Sequence, residues 1–162
     1  MDPFVVFECL GAVFGLVIGL IAHEVGHACV AYLNSWSITK IIIGSGPLCF
    51  RSSARVDFPV IELRLVPLAG VVFARIPPEV TRLQRALFAG GGVLVNFVLL
   101  LVGLSNYSFG NGTSTWGGFW LLFSCSQLLL LRNLWPRSRM IYGQKRDSDG
   151  LQLWRIVNGH PF

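Results

Sequence analysis

Charge is what this chain has least of. Only 13% of its 162 residues are Asp, Glu, Lys or Arg, against 53% that are hydrophobic, and the mean hydropathy is +0.62. That balance excludes an ordinary water-soluble domain and reads as an α-helical integral membrane protein. Basic residues outnumber acidic ones, 13 to 8, but they form no stripe interleaved with stacking aromatics, which excludes nucleic acid as a partner. No basic segment precedes the first apolar run, where only Asp2 is charged, so that run is expected to stay in the mature protein and not be removed as a signal peptide. No Cys-x-x-Cys occurs. Cys9, Cys29, Cys49 and Cys125 are scattered, and read as free thiols buried like small hydrophobes, not as disulfides or metal ligands.

What remains is long apolar runs. With about 20 residues needed per crossing, three spans are expected, at 4–33, 80–104 and 117–134, in a single domain over 1–162. Pro77-Pro78 with Glu79 and Thr81 opens the second, and a charge-free loop at 105–116 precedes the third. Between the first two spans, residues 35–73 change character. Ile38-Thr39-Lys40-Ile41-Ile42-Ile43 is β-branched, Gly44-Ser45-Gly46-Pro47 reads as a turn, and Arg55 to Phe58 and Ile61 to Leu65 alternate polar with apolar. A small β-sheet or hairpin array is expected there, in short or edge strands because Pro59 and Pro67 remove ladder donors, with Val66 to Phe73 as a re-entrant run. Such a region either caps the membrane helices or offers an edge to an extended peptide.

Trp116 and Trp120 at one end of the third span and Trp135 at the other suit an interfacial aromatic belt. Arg132, Arg137, Arg139, Lys145 and Arg146 follow that span, and Lys40, Arg51, Arg55, Arg64 and Arg75 lie between the first two. The positive-inside rule then places the N-terminus outside and the middle region and the C-terminal segment, 135–162, in the cytoplasm. Asn106-Tyr107-Ser108 and Asn111-Gly112-Thr113 match the glycosylation pattern, which matters only in a secretory pathway. Glu8 is assigned to the interface.

Into the first apolar run is set His23-Glu24-Val25-Gly26-His27. Histidines four apart project from one face of a helix, a two-ligand clamp for zinc, and ionisable groups at membrane depth mark a site unless paired. An open zinc site needs three protein ligands and a water. Glu24 is placed to take that water's proton. For the third ligand the C-terminal segment offers Asp147 and Asp149, in a stretch that also suits a helix cap, with His160 as the alternative. Asn96 is a polar side chain in an apolar span beyond Gly90-Gly91-Gly92 and suits an interhelical hydrogen bond or a contact at the site.

The His-Glu-x-x-His in the first span, the Gly-rich stretch with Asn96 in the second, and Asn133-x-x-Pro136 followed by Asp149-Gly150 together resemble the site-2 protease family of intramembrane zinc metalloproteases, in a compact form without a PDZ domain. The resemblance implies one Zn2+ per chain on His23, His27 and Asp149, Glu24 as general base, and Asn96 and Asn133 as supporting residues. It implies an enzyme that cleaves membrane protein substrates in or beside transmembrane segments, within the lipid bilayer, with a homo-oligomer or a regulatory partner left open. One departure is the twelve residues, Arg137 to Ser148, between Pro136 and Asp149. The rival expectation is a catalytically inactive metal-binding membrane protein that acts as a binding or regulatory partner; a closed structural site would recruit a fourth protein ligand such as Asp147 or His160.

Overall fold

The computed structural model describes residues 3–53, 58–109, 115–141 and 144–159. Arg55, Asp57, Asn111 to Thr113 and His160 lie outside the described residues. The first expected span is one helix, α1 (Pro3–Leu33). It ends where Ser35 takes a left-handed conformation (φ 56°), which lets the Trp36 N–H donate back to the Ala31 carbonyl at 2.9 Å. This is the usual way to satisfy a helix's last carbonyls. The same turn tucks the Trp36 ring against Phe88, with centroids 5.6 Å apart.

Helix α2 (Arg82–Phe109) begins later and ends later than the expected 80–104. At its start Thr81 and Gln84 form a reciprocal cap: the Gln84 N–H donates to Thr81 Oγ1 (3.2 Å) and the Thr81 N–H to Gln84 Oε1 (3.0 Å). At its end Ser105, Asn106 and Ser108 hydrogen-bond the carbonyls four residues back, at 2.8, 2.8 and 3.0 Å. These side chains continue the helix through what composition reads as loop. Helix α3 (Thr115–Leu131) stops short of the expected 134 and passes into a 3-10 turn at Arg132–Leu134. Both α1 and α2 are long and apolar enough to cross a membrane. The 17 residues of α3, about 26 Å at 1.5 Å per residue, fall short of a hydrocarbon core of about 30 Å.

Helices in lipid gain nothing from hiding apolar surface, so they associate where small residues let backbones close in. Along α1, Gly11, Gly15 and Gly19 recur every four residues and face α3: a Cβ at Gly15 would lie 3.0 Å from the Phe123 carbonyl oxygen, and one at Gly19 2.6 Å from Leu130 Cδ1. Gly26 faces α2 in the same way, 2.6 Å from the Gly91 carbonyl oxygen. The large apolar side chains point outward, Val13 at 57% and Phe97 at 49% exposure among them. The four cysteines are free, as expected, but exposed and not buried, Cys49 on the first strand after α1 and the other three on the outer surface of the helices; in a membrane protein the apolar side is the outside.

The region after α1 forms two long antiparallel strands, β1 (Ser37–Arg51) and β2 (Val60–Arg75), not the short pieces expected. Lys40 to Ile43 are flanked on both sides, by Gly70 to Phe73 in antiparallel order and by Val60 to Leu63 in parallel order, so Ile42 is paired with both Val71 and Glu62. Pro67 lies between the Ser45–Val66 and Ile43–Gly70 pairs, where no ladder donor is required, and the would-be turn at Gly44 and Gly46 (φ 95° and 76°) is a bend within β1. Val66 to Phe73 is accordingly strand. Buried Glu62 ties the sheet together, 2.8 Å from Lys40 and 3.2 Å from Arg64. The Lys40 contact, reinforced by Arg64, outweighs burial and keeps its carboxyl below the usual range.

Within the twelve residues that separate Pro136 from Asp149, β3 (Ser138–Ile141) pairs antiparallel with β4 (Gln144–Asp147), and α4 (Asp149–Val157) follows. The neck of the strand pair is closed by the Ser148 N–H on the Arg137 carbonyl (2.8 Å) and the Arg137 N–H on Ser148 Oγ (3.1 Å). Chain that looks like a long spacer thus returns Asp149 to the end of α3.

Gly15→Leu is expected to force α1 and α3 apart and destabilise the protein by about 1–3 kcal/mol or more, whereas Val13→Leu, on the outer surface, leaves it within about 0.5 kcal/mol. Thermal unfolding of both variants in detergent checks this.

Candidate metal centre

One turn apart on α1, His23 and His27 are buried at 5% and 6% exposure. Each ring is held by its Nδ1. His23 Nδ1 faces Asn96 Oδ1 at 2.6 Å, and His27 Nδ1 faces the Phe88 carbonyl at 2.6 Å. Both partners are oxygens that only accept, so each Nδ1 carries the hydrogen and each Nε2 keeps its lone pair. The Asn96 amide is itself oriented, because its nitrogen donates to the Gly19 carbonyl (3.2 Å) and to Gln127 Oε1 (2.9 Å).

The two Nε2 atoms meet at 3.2 Å, and Asp149 Oδ2 stands 3.0 Å from that of His23 and 3.5 Å from that of His27. Three buried lone-pair donors therefore share one point, an arrangement that repels itself unless a cation sits among them. Ligands at zinc–nitrogen distances of about 2.0–2.1 Å in tetrahedral array stand about 3.3 Å from one another, so the spacing suits such an ion.

Asp149 reaches the site for local reasons. Ser148 caps α4, accepting the Leu151 N–H at 3.3 Å. Asn133, on the 3-10 turn, donates to Asp149 Oδ2 at 2.6 Å. Gly150 lies so close to the Leu134 carbonyl that any Cβ would collide with it, which explains the glycine after the aspartate. Asp147 is engaged elsewhere, with Arg155 and Ser138 at 2.6 Å each. Among the described residues His23, His27 and Asp149 are the group that could hold a metal ion.

Glu24 is 3% exposed, and its Oε2 has no hydrogen-bond partner among the described residues. Its carboxylate lies against Gly70 of β2, where a Cβ would stand 2.6 Å from Glu24 Cδ. A cavity of about 690 Å³ opens here, lined by His23, Glu24, His27, Asp149, β2 from Leu68 to Arg75, and Arg132 and Lys145. Glu8, near the far end of α1, rests on Gly118 of α3 instead.

The sequence model of peptidase family M50 matches residues 11–147. The chain belongs to peptidase family M50. The match takes in His23 to His27, Asn96 and Asn133 and stops two residues before Asp149. A protein of Clostridium perfringens (strain 13 / Type A), whose name assigns it provisionally to the zinc metalloproteases, is 32% identical over 93 residues, 51% of this chain. Those residues span only 27% of that relative's length.

Of the expected site residues of this M50 chain, the structure gathers His23, Glu24, His27, Asn96, Asn133 and Asp149, and of the alternative ligands it leaves Asp147 outside. Sequence reasoning missed Gln127, the Phe88 carbonyl and Gly70, and named Gly92 only as part of a Gly-rich stretch. A polar residue within the apolar run of α3 was a signal for Gln127 of the same kind as Asn96; the others are legible only in the packing. At Gly92 a Cβ would lie 2.6 Å from His27 Nε2 and 2.7 Å from His23 Nε2, whereas at Gly90 it would meet nothing within 4 Å. Gly92→Ala is therefore expected to lose bound metal and Gly90→Ala to keep it, as measured by metal content of purified protein.

Proposed function

We propose that this chain is the membrane-embedded core of a zinc-dependent endopeptidase that hydrolyses peptide bonds in or next to transmembrane segments of other membrane proteins. In this reading the single domain, 1–162, crosses the bilayer three times, with α3 as the short third crossing, the N-terminus outside and the C-terminus cytoplasmic. The observation that carries it is the meeting of three lone-pair donors beside the unpartnered, buried Glu24 Oε2. Membership of M50 and the name of the Clostridium relative support the same activity.

Nε2 of His23, Nε2 of His27 and Oδ2 of Asp149 would hold the zinc. When bound, zinc acidifies a water and polarises a carbonyl. Glu24 is the general base: a buried carboxylate oxygen left without a partner is costly, and here it stands where a proton from water is received and later given to the leaving amine. Asn96, and the Phe88 carbonyl, fix the imidazoles; Asn133 fixes Asp149. Such outer contacts set ligand orientation and basicity.

A transmembrane helix hides its carbonyls in its own hydrogen bonds and has to unwind before it can be cut. Residues Leu68 to Arg75 of β2 line the cavity, and the edge of this stretch away from β1 is paired with no strand among the described residues. An extended segment added to that edge passes Gly70, and so Glu24. A purely structural zinc would take four protein ligands; with three described ligands and Asp147 tied to Arg155, the catalytic reading is favoured over a binding protein without activity.

Glu24→Gln is expected to lower cleavage of single-span reporter proteins in vesicles by about 10²–10⁴-fold, the usual contribution of a general base, while zinc stays near one per chain. Cleavage at the wild-type rate in Glu24→Gln protein contradicts the role given to Glu24.

A further inference from the structure

We infer that Gln127, in the middle of α3, is a positioning residue for the metal centre, acting through Asn96 on His23. The inference rests on the zinc reading above. Gln127 is fully buried, 0% exposed, in α3, where the other buried polar side chains, Ser124 and Ser126, donate to carbonyls of their own helix. Its Nε2 donates to the Gly15 carbonyl at 2.8 Å and to Ser126 Oγ at 3.2 Å. A carbonyl only accepts, so the nitrogen end is fixed toward α1 and Oε1 is left facing Asn96 Nδ2, 2.9 Å away.

Asn96 Nδ2 is thereby held between Gln127 Oε1 and the Gly19 carbonyl, and Oδ1 is the only end of the amide that can face His23 Nδ1. An acceptor there selects the His23 tautomer whose Nε2 lone pair points at Asp149 and His27. The chain of orientation runs from the α1 backbone through α3 and α2 and back to the α1 ligand. Gly19 permits it: a Cβ at that position would lie 2.5 Å from Gln127 Oε1. Without the Gln127 acceptor, only the Gly19 carbonyl still holds the Asn96 nitrogen, so the flipped amide, which sets N–H against N–H at His23, loses one of the two contacts that oppose it.

The competing role is simple interhelical adhesion, which polar residues in membrane helices also provide. The two separate in a double-mutant cycle with Co2+ as the probe, titrated by visible absorption into the full-length protein in detergent. Gln127→Met, similar in volume and without polar ends, is expected to weaken Co2+ binding about 10–100-fold, as loss of outer contacts does elsewhere, and to alter the cobalt spectrum. In an Asn96→Ala background the same substitution should change affinity by less than about twofold. Wild-type affinity and spectrum in folded Gln127→Met, or an undiminished loss in the Asn96→Ala background, overturns the inference and leaves the zinc reading standing. Wild type that takes up no metal overturns both. Should Gln127→Met not fold, Gln127→Glu decides, since it keeps an oxygen toward Asn96: affinity within about twofold of wild type supports the inference, and a loss as large as that of Asn96→Ala overturns it.

Discussion

Three electron-rich atoms converge in the buried interior of this protein, and most of the remaining structure exists to make them converge. Nε2 of His23, Nε2 of His27 and Oδ2 of Asp149 stand 3.0–3.5 Å apart. Each is turned inward by a polar partner behind it: Asn96, the Phe88 carbonyl and Asn133. Left to themselves such atoms would separate; a shared cation turns their repulsion into cohesion. In that sense the proposed zinc centre is also a clasp, because its ligands come from both ends of the chain, α1 and the start of α4.

The scaffold around the clasp follows from the solvent. Apolar packing gives little discrimination between helices in lipid, so close approach at glycines, and polar contacts between helices, set the geometry. The α1 glycines bring α3 near enough for Gln127 to reach the Gly15 carbonyl, while Gly26 and Gly91 bring α2 near enough for Asn96 to reach His23. The β-sheet then supplies what helices cannot, a backbone edge paired with no strand among the described residues, and Gly70 lets that edge run against Glu24.

What could be read from the sequence was what depends on short-range spacing. The i, i+4 histidines define their clamp within one turn, and their apolar setting marks it as a site. The third ligand was different: a spacer of twelve residues conceals its proximity, because nothing in Arg137 to Ser148 announces that its two ends meet, and Asp149 was reached through family resemblance. Element ends failed where local rules were overridden. Ser105 and Asn106 look like loop but bond back to carbonyls; Pro67 looks like a strand breaker but falls in a register gap. A rule drawn from water-soluble proteins places the cysteines inward, whereas all four are exposed. Gln127 and the glycines at the site depend on which helix packs against which, information that a single chain read in order does not carry.

The account is most directly tested by X-ray absorption at the zinc edge of the purified protein in a bilayer mimic. It predicts one zinc per chain with two imidazole nitrogens and carboxylate or water oxygens at about 2.0–2.2 Å. Absence of zinc, a sulfur ligand at about 2.3 Å, or a shell of three or four imidazoles would contradict an open centre built on His23, His27 and Asp149.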